Sequence, residues 1–285
     1  MAHIHYDFSL VVGSVIVAVL ACYFAVSIEQ SLFRGLRQQY EKILLVISGC
    51  MLGAAIWCMH FMGMLACHLP ANYSFDYSLT FLSYVIAFIA ATFAVWLTTR
   101  VTLPFLRLVL GAVLMGLGIA GMHYTGMMGL IVDQHQIYYD PRLTIFSVLI
   151  AIIGSGLTFW LTFKYKKAVH KLLHIKTSIV FMMALTIVGM HYTGMASAAF
   201  YSIDANQLVS NYKTGEGLIL FSVIFVSSLI LVAAFTVAVL ELRLEARNKQ
   251  LSKANRELAN QAVQDNLTKL PNRLFLAEYS HLLFP

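Results

Sequence analysis

Seven apolar runs, each long enough to cross about 30 Å of hydrocarbon as a helix of about 20 residues, constrain this chain more than any other feature. They fall near 8–27, 43–66, 77–97, 105–131, 143–163, 175–201 and 217–240. No alternating pattern of the kind a barrel strand requires accompanies them, so each run is expected to be a helix that satisfies its own backbone hydrogen bonds. The fold class that follows is an all-α membrane protein with seven transmembrane helices. Composition agrees, with 60% hydrophobic and 11% charged residues, where soluble domains carry about 25% charged. A soluble globule and a disordered chain are both excluded. Cys22, Cys50, Cys58 and Cys67 lie in or beside spans, which argues against a disulfide framework. If one helix held both Cys58 and Cys67, their nine-residue spacing would put them on opposite faces.

The net charge of +6 reads as topology. Arg34, Arg37 and Lys42 follow the first span, and Arg100 and Arg107 follow the third. Lys164, Lys166, Lys167, Lys171 and Lys176 follow the fifth, and the remaining clustered basic residues, from Arg243 to Arg273, follow the seventh. Only Arg142 and Lys213 of the 19 Lys and Arg fall in the alternate segments, which carry Asp7, Asp76, Asp133, Asp140, Asp204 and Glu216. By the positive-inside rule the N-terminus is expected outside and the C-terminus in the cytoplasm. With the positive charge so explained, no nucleic-acid partner is expected. The first span lacks a preceding Lys or Arg, the reverse of a cleavable secretory signal, and is expected to stay as a membrane helix.

The even-numbered spans repeat one another without gaps: residues 53–64, 116–127 and 184–195 align, with His60, His123 and His191 in register at separations of 63 and 68 residues. One helix pair per repeat, three pairs plus one helix, accounts for seven spans. Of the 13 Met residues, all but Met1 lie in the even spans, and the odd spans hold neither Met nor His. Plain core filler would not segregate in this way.

At about 100° per residue, each His shares a helix face with the Met four positions later, giving His60 with Met64, His123 with Met127 and His191 with Met195. Met59, Met122 and Met190 stand one step around. Imidazole with neutral thioether favours copper, especially Cu(I), over hard cations, and polar residues inside a membrane mark function. Tyr124, Thr125, Tyr192 and Thr193 are candidates to donate hydrogen bonds to metal-bound His. The first copy has Phe61 and Met62 there instead, so its site is not expected to match the other two. Cys67 and His68 lie just beyond, and a helix continuing to His68 would align His60, Met64 and His68, although Pro70 limits its run. With Met62 they are possible extra ligands. His3, His5, His135, His170 and His174 are expected to have no ligand role. Gly121, Gly126, Gly189 and Gly194, with Cys58 and Gly63 in the first copy, are small residues that let helices approach closely.

Met122-His123-Tyr124-Thr125 and Met190-His191-Tyr192-Thr193 resemble the signature of the MHYT family of bacterial integral-membrane sensor domains, with Met59-His60-Phe61-Met62 as a variant first copy. The resemblance covers about residues 8 to 240. It implies a multi-pass sensor of the bacterial inner membrane that holds copper through the motif His and Met and responds to a diatomic gas (O2, CO or NO).

Beyond the seventh span, Leu244, Leu251 and Leu258 recur every seven residues with Asn248 and Asn255 between them. With Leu at d and Asn at a, residues 241–264 are expected to form a two-stranded signalling coiled coil and hence a homodimer. Asp265-Asn-Leu-Thr-Lys-Leu-Pro-Asn-Arg273 resembles the opening of GGDEF diguanylate cyclase domains, so residues 265–285 are expected to be the incomplete start of one. The GGDEF loop does not occur, and no enzymatic activity is expected of this segment. The parent protein implied by the resemblance makes or degrades cyclic-di-GMP. Three functions remain open at this level: a copper-dependent gas or redox sensor, a haem or electron-transfer protein using the same histidines, and a copper transporter or sensor of copper itself. A retinal-type pump is disfavoured, because the seventh span has no Lys for a Schiff base and no span has an interior carboxylate.

Overall fold

A computed structural model describes residues 5–33, 38–69, 71–100, 102–166, 173–202, 216–263 and 270. Among these described residues are seven helices long and apolar enough to cross a membrane. These are α1 (Phe8–Phe33), α2 (Gln38–Leu65), α3 (Tyr77–Thr98), α4 (Phe105–Met128), α5 (Pro141–Lys164), α6 (Leu173–Ser197) and α7 (Glu216–Val263). The all-α membrane reading therefore holds, and the seven runs map one to one onto helices.

Two predicted spans run past their helices. Leu130–Val132 and Ala198–Ser202 are strands, β4 and β6, although hydropathy had placed most of both in spans. A short apolar run does not by itself distinguish a strand from a helix end. The other strands are β1 (His5–Tyr6), β2 (Cys67–His68), β3 (Tyr73–Phe75) and β5 (His135–Tyr139). They form three antiparallel ladders, β1 with β2, β3 with β4 and β5 with β6. Each ladder ties the residues entering an odd helix to those leaving the even helix after it. The same hydrogen bond recurs at each: the amides of Asp7, Asp76 and Asp140 donate to the carbonyls of Ala66, Gly129 and Ser197, each at 2.8 Å. The unit of construction is thus a helix pair closed by a ladder.

The odd helices carry a repeat of their own, Asp-x-x-Leu-x-x-x-Ser, at Asp7/Leu10/Ser14, Asp76/Leu79/Ser83 and Asp140/Leu143/Ser147. Its physical content is a helix start. The Asp76 carboxylate accepts from the Leu79 amide at 2.9 Å, and the Asp140 carboxylate accepts from the amides of Arg142 at 2.7 Å and Leu143 at 3.3 Å. Asp7 accepts from the Ser9 hydroxyl and from the amides of Ser9 and Leu10, which hold its carboxyl below the usual carboxylate range. Each satisfies amides that a helix leaves without an internal partner.

Consecutive helices from α1 to α6 pack on one another, α6 returns to α1, and α2, α4 and α6 also touch among themselves. The even helices therefore sit inside. Gly53 and Gly116, equivalent in the repeat, let backbones meet: a β-carbon there would stand 2.7 Å from Phe88 Cα and 2.6 Å from Ile152 Cα. Lys176, counted among the flanking cations, lies within α6, buried, with its ammonium 3.8 Å from the centre of the Tyr23 ring. The alignment of His60, Met64 and His68 on one helix is overturned, because α2 ends at Leu65. Cys58 and Cys67 accordingly do not share a helix, and all four cysteines are free.

The chain divides into compact units over Met1–Ala234 and Phe235–Pro285. Helix α7 continues without a break through the heptad region to Val263, where Leu244, Leu251 and Leu258 are exposed. Apart from Leu270, the stretch 265–273 lies outside the described residues, as do Lys167, His170, Lys171, Asp204 and Lys213. Replacing a helix-start carboxylate, Asp76→Ala, is expected to cost about 0.5–2 kcal/mol, read as a lower unfolding midpoint in detergent. An unchanged midpoint would contradict this role for Asp76.

Candidate metal centre

Because α2, α4 and α6 are the inner helices, the repeat brings its histidines to one place. His60, His123 and His191 are at most 1% exposed and form a group able to hold a metal ion. Their Nδ1 atoms make a nearly equilateral triangle: 3.0 Å from His60 to His123, 3.2 Å from His60 to His191 and 3.3 Å from His123 to His191. The rings stand edge to face, with interplanar angles of 82°, 85° and 86°. The three motifs build one centre.

Hydrogen bonding cannot satisfy this triangle. In a neutral imidazole Nδ1 is either a donor or an acceptor. Of three, at least two must be alike, so some pair sets lone pair against lone pair or N–H against N–H at about 3 Å. A cation at the centre removes the conflict, because all three lone pairs then point at it. The point equidistant from the three nitrogens lies about 1.8 Å from each, close to the roughly 2.0 Å of a metal–imidazole bond. The donor set fits a metal ion.

A second geometric rule fixes the rings. Each Nε2 is buried without a hydrogen-bond partner and lodges against the glycine of the next motif. A β-carbon on Gly126 would stand 2.4 Å from His60 Nε2, one on Gly194 would stand 2.4 Å from His123 Nε2, and one on Gly63 would stand 2.2 Å from His191 Nε2. The relation closes in a circle, each repeat seating the histidine of another. Gly121 and Gly189 differ, with ordinary contacts at 3.5 and 3.6 Å. These ring seats were indistinguishable in the sequence from general small-residue packing, although their constant position three residues after each His was visible.

The methionines form two sets. Met59, Met122 and Met190 belong to the core cluster that runs toward the ladder-free ends of the helices. Met64, Met127 and Met195, one turn past the histidines, belong to the cluster that includes the ladder residues. All six are at most 3% exposed.

The tyrosines do not hydrogen-bond the histidines. Tyr124 and Tyr192 stand edge to face with their own His at 4.8 Å, and so does Phe61 with His60. The Tyr124 hydroxyl pairs with Ser147 at 2.7 Å and the Tyr192 hydroxyl with Ser14 at 2.8 Å. They tie α4 to α5 and α6 to α1. At the third such position Phe61 has no hydroxyl, and Ser83 donates only to the Thr80 carbonyl at 2.7 Å. Thr125 and Thr193 are half-buried. Met62 leans on α1, its Cε 3.1 Å from where a Gly13 β-carbon would be. Cys67 and His68 stand on β2 and are not in the histidine group.

Gly126→Ala and Gly194→Ala are expected to displace a ring and destabilise the bundle by about 1–3 kcal/mol, whereas Gly121→Ala and Gly189→Ala are expected to be neutral or stabilising. Unfolding midpoints of the four variants separate a ring seat from ordinary helix packing, and equal effects across all four would dismiss the seat.

The comparisons with known proteins bear on the same residues. The MHYT family, described as a bacterial signalling protein N-terminal repeat, matches residues 53–111 and 116–174. The bifunctional diguanylate cyclase/cyclic di-GMP phosphodiesterase MucR of Pseudomonas aeruginosa is 41% identical over 276 residues, 95% of this chain and 40% of that protein. The signaling protein YkoW of Bacillus subtilis is 32% identical over 206 residues, 70% of this chain and 25% of that protein. The cyclic di-GMP phosphodiesterase NbdA of Pseudomonas aeruginosa is 33% identical over 285 residues, 94% of this chain and 35% of that protein. The chain spans 40% or less of the length of each of these relatives. No solved structure matches it. With the motif His of both matched segments in one buried triad, the chain is a multi-pass membrane protein built on MHYT signalling repeats.

Proposed function

We propose that this chain is the membrane sensor of a cyclic-di-GMP signalling protein, holding one copper ion among His60, His123 and His191 and responding to a diatomic gas (O2, CO or NO) or to redox state. The observation that carries it is the Nδ1 triangle, in which three buried ring nitrogens stand 3.0–3.3 Å apart, a spacing that supports a shared cation. Three neutral donors without a carboxylate favour an ion of low charge, since burial cost rises steeply with charge. Soft thioethers on either side of the triad favour Cu(I). A haem finds no room between rings whose nitrogens are 3.0–3.3 Å apart.

When bound, copper supplies a one-electron couple and affinity for small diatomic ligands. The chain's own part is to hold three imidazoles in fixed orientation, to exclude water and to pass a change onward. Cys58, two residues before His60, lies 2.8 Å from the Ser227 hydroxyl and donates to the Val223 carbonyl at 3.2 Å. A shift of α2 at the metal is thus felt by α7, the helix that leads to the C-terminus.

The positive-inside charge distribution supports placing the ladders outside and the C-terminus in the cytoplasm of a bacterial inner membrane. In this reading residues 1–240 are the sensor, 241–264 a signalling helix that dimerises through Leu244, Leu251 and Leu258, and 265–285 the start of a GGDEF domain. Two of the relatives bear cyclic-di-GMP enzyme names, which supports assigning catalysis to a region beyond this segment.

The decisive measurement is metal content after anaerobic loading with Cu(I). One copper per chain is expected, lost in His60→Ala, His123→Ala and His191→Ala alike, and free Cu(I) at 100 times its dissociation constant should stabilise the protein by about 2.7 kcal/mol. Three coppers per chain, or none, would sink the shared-site reading.

A further inference from the structure

Away from the ladders, a cavity of about 30 Å³ lies between α3, α4, α5 and α6. Ala94, Met115, Ile119, Phe159 and Ile187 form most of its apolar wall. Three hydroxyls line it, those of Ser155, Thr158 and Thr186; Thr158 donates to the Gly154 carbonyl and Thr186 to the Met182 carbonyl, each at 2.8 Å. The hydroxyls contribute almost nothing to the lining, which is nearly all apolar, whereas a buried water needs two to four polar partners. The cavity is suited to an apolar occupant.

Its size narrows the class. About 10–15 Å³ of such space accepts one water-sized sphere, so 30 Å³ accepts about two. That is room for a diatomic molecule. Its position is equally specific, since Ile119 and Ile187 each precede a triad histidine by four residues, one helical turn or about 6 Å along the axis. Met183, half-buried at its edge, is the wall residue nearest the bundle surface by exposure.

We infer that this cavity is a docking site for an apolar diatomic gas, drawn from the bilayer and held one turn from the histidine triad. The link to the triad rests on the reading of that centre as a gas-responsive copper site; the affinity for an apolar gas does not.

Xenon is the probe, followed by its NMR shift on the full chain in detergent, both metal-free and copper-loaded. A saturable shift is expected in each form, lost in Ala94→Leu, which fills the cavity, and strengthened in Ile119→Ala, which enlarges it. In the Cu(I) protein, carbon monoxide recombination after flash photolysis is expected to slow several-fold in Ala94→Leu at unchanged copper content. Absence of a saturable xenon shift, or a shift indifferent to both variants, overturns the docking site. An unchanged recombination rate overturns its service to the triad. Xenon uptake by a chain that takes no copper supports the docking site and removes the sensor reading instead.

Discussion

Three imidazole nitrogens within 3.0–3.3 Å of one another, deep in an apolar bundle, are an arrangement that polar chemistry alone resists. No choice of tautomers makes all three pairs attractive, and among the described residues no carboxylate belongs to the group. Much of the remaining structure holds this arrangement in place. The even helices meet one another and carry the histidines where they meet. The odd helices surround them, and a ladder closes each pair, so that no pair can slide along the bundle axis independently of its outer connections.

Shape, not hydrogen bonding, orients the rings. A metal-bound histidine ordinarily donates its second ring nitrogen to a polar group, yet here each Nε2 ends against a glycine of a different helix. A β-carbon on any of these glycines would stand within 2.5 Å of a ring nitrogen, closer than a close-packed interior absorbs, so the seat requires glycine. The circular order, in which each repeat seats the ring of another, makes the centre a joint property of three helices. On the same helix as His60, Cys58 contacts Ser227 of α7.

Departures from threefold symmetry are equally physical. Two tyrosine–serine bonds tie neighbouring pairs, and the third is missing because Phe61 stands where tyrosine would. On that side Trp57 packs on Phe61 at 4.6 Å and donates to the Thr80 carbonyl at 3.2 Å. The inequivalence of the first copy, expected from Phe61 and Met62, thus takes the form of a different tie between helix pairs. What was not legible was the destination of the tyrosine hydroxyls, since a serine on another helix is 23 residues from Tyr124 in one case and 178 from Tyr192 in the other. The odd-helix repeat was legible, since Asp, Leu and Ser at constant spacing have the form of an N-cap.

The sequence by itself determined the number and nature of the spans, because a bilayer of fixed thickness admits long apolar runs without barrel alternation only as helices that satisfy their own backbones. It also determined the equivalence of three His-containing segments, because repetition at constant register is a local property of the chain. Strand or helix at the ends of α4 and α6 was decided only in three dimensions, since the ladder partner of each lies in another segment. The same holds for the centre. Helical periodicity relates His60 to Met64 on one helix, but distances between helices depend on how closely backbones pack. Only the tertiary structure, with glycine opposite each ring, brought three separate motifs to a single point.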